Sequence, residues 1–235
     1  MSKRRTRMDE QAEIAAAPMQ RLAPMNDKQA EYLRAMRDHE QVFVTGSSGT
    51  GKTYMAAAYA AELYATGDVD KIIITRPNVS CGRDLGYLPG TLDEKYAPWA
   101  APVVDVLREC LGHGKVQTDM KSTAHRPANI EVAPLSFMRG RSFHDAFIIC
   151  DEAQNMSVME MKMFLTRIGK GCKVVVAGDI KQSDLKAGSD CGLAMVADFI
   201  KRGLVYAPII EFGVNDIVRS DICKRWIMAF EGDLN

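Results

Sequence analysis

The sequence predicts an α/β domain built on a mostly parallel β-sheet with helices on both faces. Two observations support this prediction: short aliphatic segments recur along the 235 residues, and longer helical stretches separate them. The aliphatic segments are continuously hydrophobic rather than alternating, which is typical of strands covered on both faces of a parallel sheet. The predicted strands span residues 41–45, 71–75, 130–133, 146–150, 173–177 and 209–212.

The predicted helices lie between these strands, at residues 52–65, 94–111, 158–168, 193–201 and 216–230, after a periodic apolar stretch that begins at Asn26. Thr91 with Glu94, and Ser157 with Glu160, have the spacing of a helix capping box. Residues 112–129 are polar without a clear period and predict a surface excursion. Residues 1–25 predict a flexible basic arm, so we expect a single domain over residues 26–235.

Composition and charge limit the partners and the location that we expect for this chain. Thirty basic and thirty acidic residues give a formal net charge of zero, so any nucleic-acid binding must be local. Six cysteines without paired spacing predict a reducing, cytoplasmic location. No run approaches the ~20 apolar residues that span a bilayer, so we expect no membrane partner, and the four histidines lack zinc-site spacing with the cysteines.

The strongest motif is a complete G-x-x-x-x-G-K-T that follows a predicted strand and opens a predicted helix. It comprises Gly46, Ser47, Ser48, Gly49, Thr50, Gly51, Lys52 and Thr53. Glycines let successive main-chain N–H groups point at phosphate oxygens, and the helix N-terminus adds the positive end of its dipole. We expect Lys52 to reach the β- and γ-phosphates and the Thr53 hydroxyl to bind Mg²⁺.

Two further segments predict what happens to the nucleotide. The aliphatic strand 146–150 ends in Asp151 and Glu152, at the sheet edge where ligands bind in open α/β folds. Asp151 suits Mg²⁺ coordination, and Glu152 suits the general base that orients the attacking water. Gln182 follows the strand 173–177 and is the candidate sensor of the γ-phosphate, and the alternative is that it only closes a loop.

Gln29 can be interpreted in two ways. Its amide could grip the edge of adenine, or Asn26 and Gln29 could form a capping box at the start of a helix. The spacing fits both interpretations. ATP is favoured over GTP because no Asn-Lys-x-Asp segment occurs in the chain.

Over residues 26–231 the chain resembles the PhoH family, the phosphate-starvation-inducible ATPases. The segments that carry the resemblance are GSSGTGKT, TRPNVSCGRDLGYLPG, IEVAPLSFMRGRSF, FIICDEAQN, GDIKQSDL and DIVRSDICKRWI. The resemblance implies ATP hydrolysis on a RecA-like P-loop NTPase domain similar to the motor domain of superfamily-1 helicases, hexameric rings and a role on RNA. Arg83, Lys181 and Ser220 stand where the family usually has glutamate, threonine and histidine, which puts partner contacts in doubt.

Helicases of this kind bind ATP between two such domains, and the second supplies an arginine to the γ-phosphate. We therefore expect a neighbouring subunit of a homo-oligomer to supply it, with Arg219 first and Arg139 or Arg141 second. An ordinary surface salt bridge is the alternative for Arg219. A further set of basic and aromatic side chains has two interpretations. The resemblance implies that they contact single-stranded RNA or DNA, and the alternative is that the arginines are structural and the aromatics lie in the core: Arg76, Arg83, Arg139, Arg141, Tyr87 and Phe137.

The function predicted from these residues is Mg²⁺-dependent ATP hydrolysis coupled to remodelling of single-stranded nucleic acid. The alternative is an ATP-dependent assembly switch or scaffold that moves no strand. A motor should turn over faster with single strands, whereas a switch should change its oligomeric state with nucleotide. A small-molecule kinase is a weaker option, because the sequence shows neither an acceptor pocket nor a lid.

Overall fold

The computed structural model describes residues 22–77, 92–123, 126–185 and 190–231. Six strands form one sheet in the order β3-β2-β4-β5-β1-β6, and every neighbouring pair is parallel. The strands are β1 (Gln41–Gly46), β2 (Lys71–Thr75), β3 (Ile130–Val132), β4 (Ala146–Cys150), β5 (Lys173–Gly178) and β6 (Ile209–Phe212). The parallel sheet predicted from the aliphatic segments is confirmed.

Eight α-helices and three short 3₁₀ helices connect the strands within the described residues. The α-helices are α1 (Asp27–Asp38), α2 (Lys52–Thr66), α3 (Leu92–Leu111), α4 (His113–Asp119), α5 (Leu135–Met138), α6 (Val158–Leu165), α7 (Gly192–Lys201) and α8 (Asp221–Glu231). The 3₁₀ helices are Ala153–Asn155, Ile180–Gln182 and Val214–Asp216. In the described part of the chain, no helix combines the length and apolarity that crossing a membrane requires.

Hydrophobic cores on both faces of the sheet explain the continuous aliphatic strands. Ile72 and Ile74 of β2 lie in the core formed with α1, α2 and α3, whereas Ile73 between them lies in the core formed with α6 and α7. All three side chains are at most 2% exposed. Each contributes ~1.5–3 kcal/mol by leaving water, so neither face tolerates a polar residue in the middle of the strand.

The segment predicted as a surface excursion contains helix α4, which ends in a buried carboxylate. Asp119 accepts hydrogen bonds from the Tyr64 hydroxyl at 2.8 Å, Lys115 Nζ at 2.9 Å and an Arg126 guanidinium nitrogen at 2.9 Å. Lys115 and Arg126 outweigh the desolvation of the carboxyl, and the pKa of Asp119 is lowered. Helix α4 is held by this polar cluster, which apolar periodicity does not reveal.

Two helix boundaries also differ from the prediction. The last helix begins at Asp221 rather than at 216, because the chain first makes the 3₁₀ turn Val214–Asp216 and then passes the loop that follows β1. Helix α6 ends at Leu165, because the Thr166 hydroxyl bonds back to the carbonyls of Lys162 and Met163. The capping box at Ser157 and Glu160 is confirmed, whereas Thr91 lies outside the described residues.

The strand order brings four chain segments to one edge of the sheet. β4 lies between β2 and β5, and β5 lies between β4 and β1. Because all these strands are parallel, the residues that follow their carboxyl ends meet at that edge. The G-x-x-x-x-G-K-T segment follows β1, Arg76 follows β2, Asp151 follows β4 and Asp179 follows β5.

Candidate nucleotide-binding site

The loop between β1 and α2 needs its glycines for two reasons. Gly46 has a φ of 124°, and a Cβ there would lie 2.0 Å from the carbonyl oxygen of Phe212 in β6. Gly51 has a φ of 88°, and a Cβ there would lie 2.8 Å from the amide nitrogen of Gln29. A side chain at either position would therefore meet both backbone strain and a close neighbour.

Protein donors hold the carbonyl oxygens of this loop from behind. The Val218 N–H donates to the carbonyl of Gly49 at 3.0 Å, and Gln29 Nε2 donates to the carbonyl of Thr50 at 3.0 Å. The Thr50 hydroxyl donates to the carbonyl of Ser47, also at 3.0 Å. With its carbonyls occupied in this way, the loop is arranged to offer its N–H groups to an anion. No described side chain caps the N-terminus of α2, which leaves that helix end to the same ligand.

Lys52 lies within reach of the same loop. Its ammonium donates to the carbonyl oxygens of Gly46 at 2.6 Å and Ser47 at 2.8 Å, and the side chain lines the adjoining cleft. The flexible stem of lysine can carry this point charge from the carbonyls to a phosphate. Contact of Lys52 with the β- and γ-phosphates stays a prediction.

Gln29 is only 2% exposed and supports the loop with its side chain. Its Oε1 accepts a hydrogen bond from the Met25 N–H at 2.8 Å, while its Nε2 holds the carbonyl of Thr50. The Asn26 side chain caps α1 by accepting from the Gln29 N–H at 2.8 Å. The first half of the predicted capping box is therefore present, and the Gln29 amide that was considered for adenine bonds to main chain instead.

Asp151 lies under the loop, next to the first turn of α2. The Thr53 hydroxyl donates to its Oδ1 at 2.9 Å, and Asp151 is 7% exposed. Burial, followed by the negative charge of Glu152, raises the pKa of Asp151, although the Thr53 hydrogen bond opposes the shift. A bound cation would compensate the negative charge of this buried carboxylate.

A carboxylate and a hydroxyl oxygen side by side are the ligands that Mg²⁺ prefers, so these residues fit the metal. Within the described ranges, no group of three or more His, Cys, Asp or Glu side chains could hold a metal ion. A cation at Asp151 and Thr53 would therefore need phosphate oxygens and water as its remaining ligands, which is the usual setting of Mg²⁺ in nucleotide sites.

Glu152 adopts a left-handed backbone conformation with a φ of 53°. Its Oε1 accepts a hydrogen bond from an Arg76 guanidinium nitrogen at 3.1 Å, and its Oε2 accepts one from Gln154 Nε2 at 2.6 Å. The Oε1 of Gln154 in turn accepts from the Asp179 N–H at 2.9 Å. The Arg76 and Gln154 side chains thus fix the direction of the Glu152 carboxylate, and the Asp179 main chain after β5 fixes Gln154.

These groups line one cleft with a volume of about 270 Å³. Its lining includes most of the predicted site residues: Ser48, Gly49, Gly51, Lys52, Thr53, Asp151, Glu152, Gln182 and Arg219. Tyr54, Arg76, Pro102, Gly178 and Asp179 complete it. Gly46 and Ser47 belong to the loop beneath the cleft, and Thr50 is buried inside it. Phosphate-binding, metal-binding and water-activating candidates therefore face one volume.

Arg219 belongs to the cleft of its own chain, whereas a neighbouring subunit's cleft was the expected location. A Cβ at Gly49 would lie 2.8 Å from Arg219 Cγ, so the arginine stem packs directly on the loop. The adjacent Val218 fixes it there through the bond to the Gly49 carbonyl. Of the second choices, Arg141 pairs with both carboxylate oxygens of Glu131, and Arg139 is exposed.

Arg76 is the residue whose position the sequence prediction missed. It was expected to contact nucleic acid, but it bonds to Glu152 inside the cleft. Its position directly after β2, the neighbour of β4, is the signal that could have located it. Arg83 and Tyr87, which were expected to share its role, lie outside the described residues.

The sequence model of the PhoH-like protein family matches residues 21–231, nearly the whole chain. The chain belongs to the PhoH family. It is 42% identical over 205 residues to Protein PhoH of Escherichia coli K12, covering 87% of this chain and 57% of that protein. It is 42% identical to the PhoH-like protein of Bacillus subtilis (86% of this chain, 62% of that protein) and 38% identical to that of Synechocystis (88% and 62%).

Two solved structures share the fold of this PhoH-family chain. The HK97 bacteriophage large terminase superposes with a TM-score of 0.53 at 12% identity, covering 94% of this chain and 50% of the terminase chain. The UvsW helicase of bacteriophage T4 superposes with a TM-score of 0.50 at 11% identity, covering 89% and 69%. The RecA-like fold class predicted from the sequence is confirmed.

Proposed function

We propose that this chain hydrolyses ATP with Mg²⁺ and uses the energy to move single-stranded RNA or DNA within a ring of identical subunits. The observation that carries the hydrolytic part is the shared cleft, in which the Thr53 hydroxyl lies 2.9 Å from Asp151 Oδ1 and Lys52 and Glu152 line the same volume. A triphosphate that fills the loop would bring its terminal phosphate to the acid pair.

Each side chain has a role that follows from its position. Lys52 and the loop N–H groups hold the β- and γ-phosphates, and Thr53 and Asp151 hold the metal. When bound, Mg²⁺ neutralises charge on the phosphate oxygens. Glu152 orients the attacking water and accepts its proton.

Two further residues complete the scheme. Gln182 lies at the end of a 3₁₀ helix on the cleft wall, where its amide can sense the γ-phosphate. Arg219 reaches the cleft from its own chain, where its guanidinium can stabilise negative charge that develops on the transferred phosphoryl group.

An exposed pair of residues after β3 supports the nucleic-acid part of the proposal. Phe137 is 49% exposed on α5, and Arg139 is exposed where that helix ends. An aromatic ring for base stacking beside a cation for phosphate is the usual composition of a single-strand site. The fold shared with the UvsW helicase is consistent with this use.

The apolar side of α8 supports assembly. Ile222, Trp226 and Phe230 recur every four residues, so they share one side of the helix, and they are 74%, 63% and 84% exposed. Phe230 also lines a second cavity with Ser48 and Gln182, two residues of the nucleotide cleft. A neighbouring subunit docked on this side would contact the edge of the nucleotide site.

The same helix favours the second candidate function, an ATP-dependent assembly switch. Because Ser48 and Gln182 line both cavities, nucleotide in the cleft would change the surface beside α8 without any strand being moved. The two candidates predict different responses to nucleic acid.

The deciding experiment measures steady-state ATP turnover with and without single-stranded RNA or DNA at low salt. A motor predicts stimulation by the strands, and loss of that stimulation in a Phe137→Ala, Arg139→Ala double variant. Arg202→Ala, which removes an exposed ion pair with Asp198 on α7, is the matched control and should be stimulated like the parent. Turnover that ignores both strands, together with an oligomeric state that follows ATP, would favour the switch.

A further inference from the structure

Both carboxylate oxygens of Glu152 accept hydrogen bonds from side chains, one from a neighbouring strand end and one from its own turn. Arg76 approaches Oε1 from β2, and Gln154 approaches Oε2 from the turn after β4. The Arg76 and Glu152 side chains are 32% and 39% exposed, so the pair borders the cleft rather than open solvent. These two hydrogen bonds therefore set the direction of the carboxylate of Glu152, the candidate general base.

Arg76 is itself fixed at a second point. Another nitrogen of its guanidinium donates to the carbonyl oxygen of Trp99 at 3.2 Å, in the middle of α3. The Tyr96 and Trp99 side chains border a small cavity at the same guanidinium. The guanidinium is planar and its donors have fixed directions. An arginine whose two terminal nitrogens donate to different acceptors therefore holds each acceptor at a defined place.

The backbone at Glu152 adopts an uncommon conformation. A φ of 53° is rarely adopted by residues with a Cβ, and it turns the chain sharply between β4 and the Ala153–Asn155 helix. Asp151, one residue earlier, points under the loop to Thr53. Two adjacent carboxylates thus face different partners, and Arg76 is the cation that Glu152 contacts.

We propose that Arg76 is a positioning residue for Glu152: its guanidinium holds the carboxylate in line with the terminal phosphate and ties it to α3. The inference rests on the proposed ATPase function and deepens it. It replaces the expected role of Arg76 as a direct contact to nucleic-acid phosphates. It also makes catalysis depend on where α3 lies, because the same guanidinium bonds to that helix.

The test compares ATP turnover of the parent, Arg76→Ala, Arg76→Lys, Glu152→Gln and the Arg76→Ala, Glu152→Gln double variant, all without nucleic acid. Arg76→Ala should lower kcat tenfold or more while leaving the KM for ATP within about threefold, because the residue acts on the base and not on substrate binding. Arg76→Lys should recover part of the loss, since an ammonium can pair with Glu152 but cannot also bridge to Trp99.

The double variant distinguishes positioning from an independent role. If Arg76 acts through Glu152, its removal should add less than twofold to the loss already caused by Glu152→Gln. Two losses that multiply, or an Arg76→Ala variant with the kcat of the parent, would overturn the inference. Arg202→Ala is again the arginine control, and it should keep the parent's kcat and KM.

Equilibrium binding of ATP and thermal melting supply readouts that do not depend on turnover. Arg76→Ala should bind ATP like the parent and melt within a few degrees of it. Arg76→Gln, which keeps more of the side chain without the charge, replaces it if the alanine variant melts early. If Glu152→Gln turned over ATP like the parent, the proposed function would fail first. If Glu152→Gln were inactive but both Arg76 variants remained active, the positioning role alone would fail.

Discussion

The phosphate-binding loop and the acid edge beside it are built in opposite ways. The loop is one continuous segment, in which glycine conformations and main-chain carbonyls held by Gln29 and Val218 set the shape. The acid edge is assembled from segments that follow two different strands: Arg76 after β2 contacts Glu152, and Gln154 and Glu152 both follow β4. The residues proposed to bind phosphate therefore lie mainly in one segment of the chain, whereas the residues proposed for chemistry come together only through the order of strands in the sheet.

The two regions also differ in how much backbone strain and unfavourable burial they contain. Glycines carry the positive φ angles of the loop, whereas a glutamate carries one at the acid edge. The acid edge further contains a buried carboxylate whose pKa is raised by burial and by a neighbouring negative charge. Strain and unfavourable burial concentrate where the proposed chemistry takes place, as expected for a functional site.

The largest effect is expected from breaking the loop at Gly46. A Cβ in Gly46→Ala would meet the Phe212 carbonyl at 2.0 Å, so the variant should lose about 3 kcal/mol or more of its free energy of unfolding. Gly67→Ala is the matched control: its φ is also positive, at 81°, but nothing lies within 4 Å, so it should lose only about 1 kcal/mol. Urea unfolding measures both, and equal losses would show that φ alone matters.

A smaller effect is expected from removing the support under the loop. Gln29→Ala loses the bonds to Thr50 and Met25 and should weaken nucleotide binding about tenfold, or ~1.4 kcal/mol. ATP and GTP affinities should fall together, because the amide holds main chain. A loss confined to ATP would instead support adenine recognition. Gln41→Ala removes an exposed hydrogen bond from the side-chain amide to the carbonyl of Tyr206, and it should leave both affinities unchanged.

The acid edge predicts a gain of stability when its buried charge is removed. Asp151 has a folded pKa raised above its ordinary value of 3.8, so the folded state binds protons more readily and the parent loses stability as the pH rises through that raised value. Asp151→Asn lacks this loss and should melt at a higher temperature at neutral pH without nucleotide or metal. Thermal melting against pH checks the sign.

The exposed Asp105→Asn serves as the control for this prediction, since its carboxylate is 66% exposed and pairs only at the surface. Its melting temperature should follow the parent at every pH. A lower melting temperature for Asp151→Asn at neutral pH would mean that the carboxylate stabilises the empty site.

Much of the fold was predictable because its signals are local. The aliphatic runs predicted the bounds of β2, β4 and β6 as the structure has them. The interiors of β2 and β4 are aliphatic and buried on both faces, whereas the edge strand β6 contains the exposed Glu211. Helix α4 was missed because a polar cluster around Asp119 holds it, with Lys115 and Arg126 nearby in the chain and Tyr64 from a distant helix, and apolar periodicity does not reveal such a cluster. The start of α8 was misplaced because the preceding residues pack on the loop.

The site residues also divide into those that a local motif identifies and those that only the folded sheet brings together. Lys52, Thr53 and Asp151 are identified by motifs whose spacing is fixed along the chain, and the structure brings them to one cleft. Arg76 and Glu152 are 76 positions apart, and only the order of β2 and β4 in the sheet makes them partners. Sequence motifs therefore located the candidate binding groups, but they missed the cation that contacts Glu152.

The most direct test of a single nucleotide shared by the two regions measures ATP affinity and ATP turnover in Lys52→Ala and in Glu152→Gln. Lys52→Ala should lose binding, because it removes the charge beside the phosphates. Glu152→Gln should bind ATP like the parent but turn it over at least a hundredfold more slowly, the usual range for loss of a general base. Turnover at the parental rate in Glu152→Gln would contradict the account.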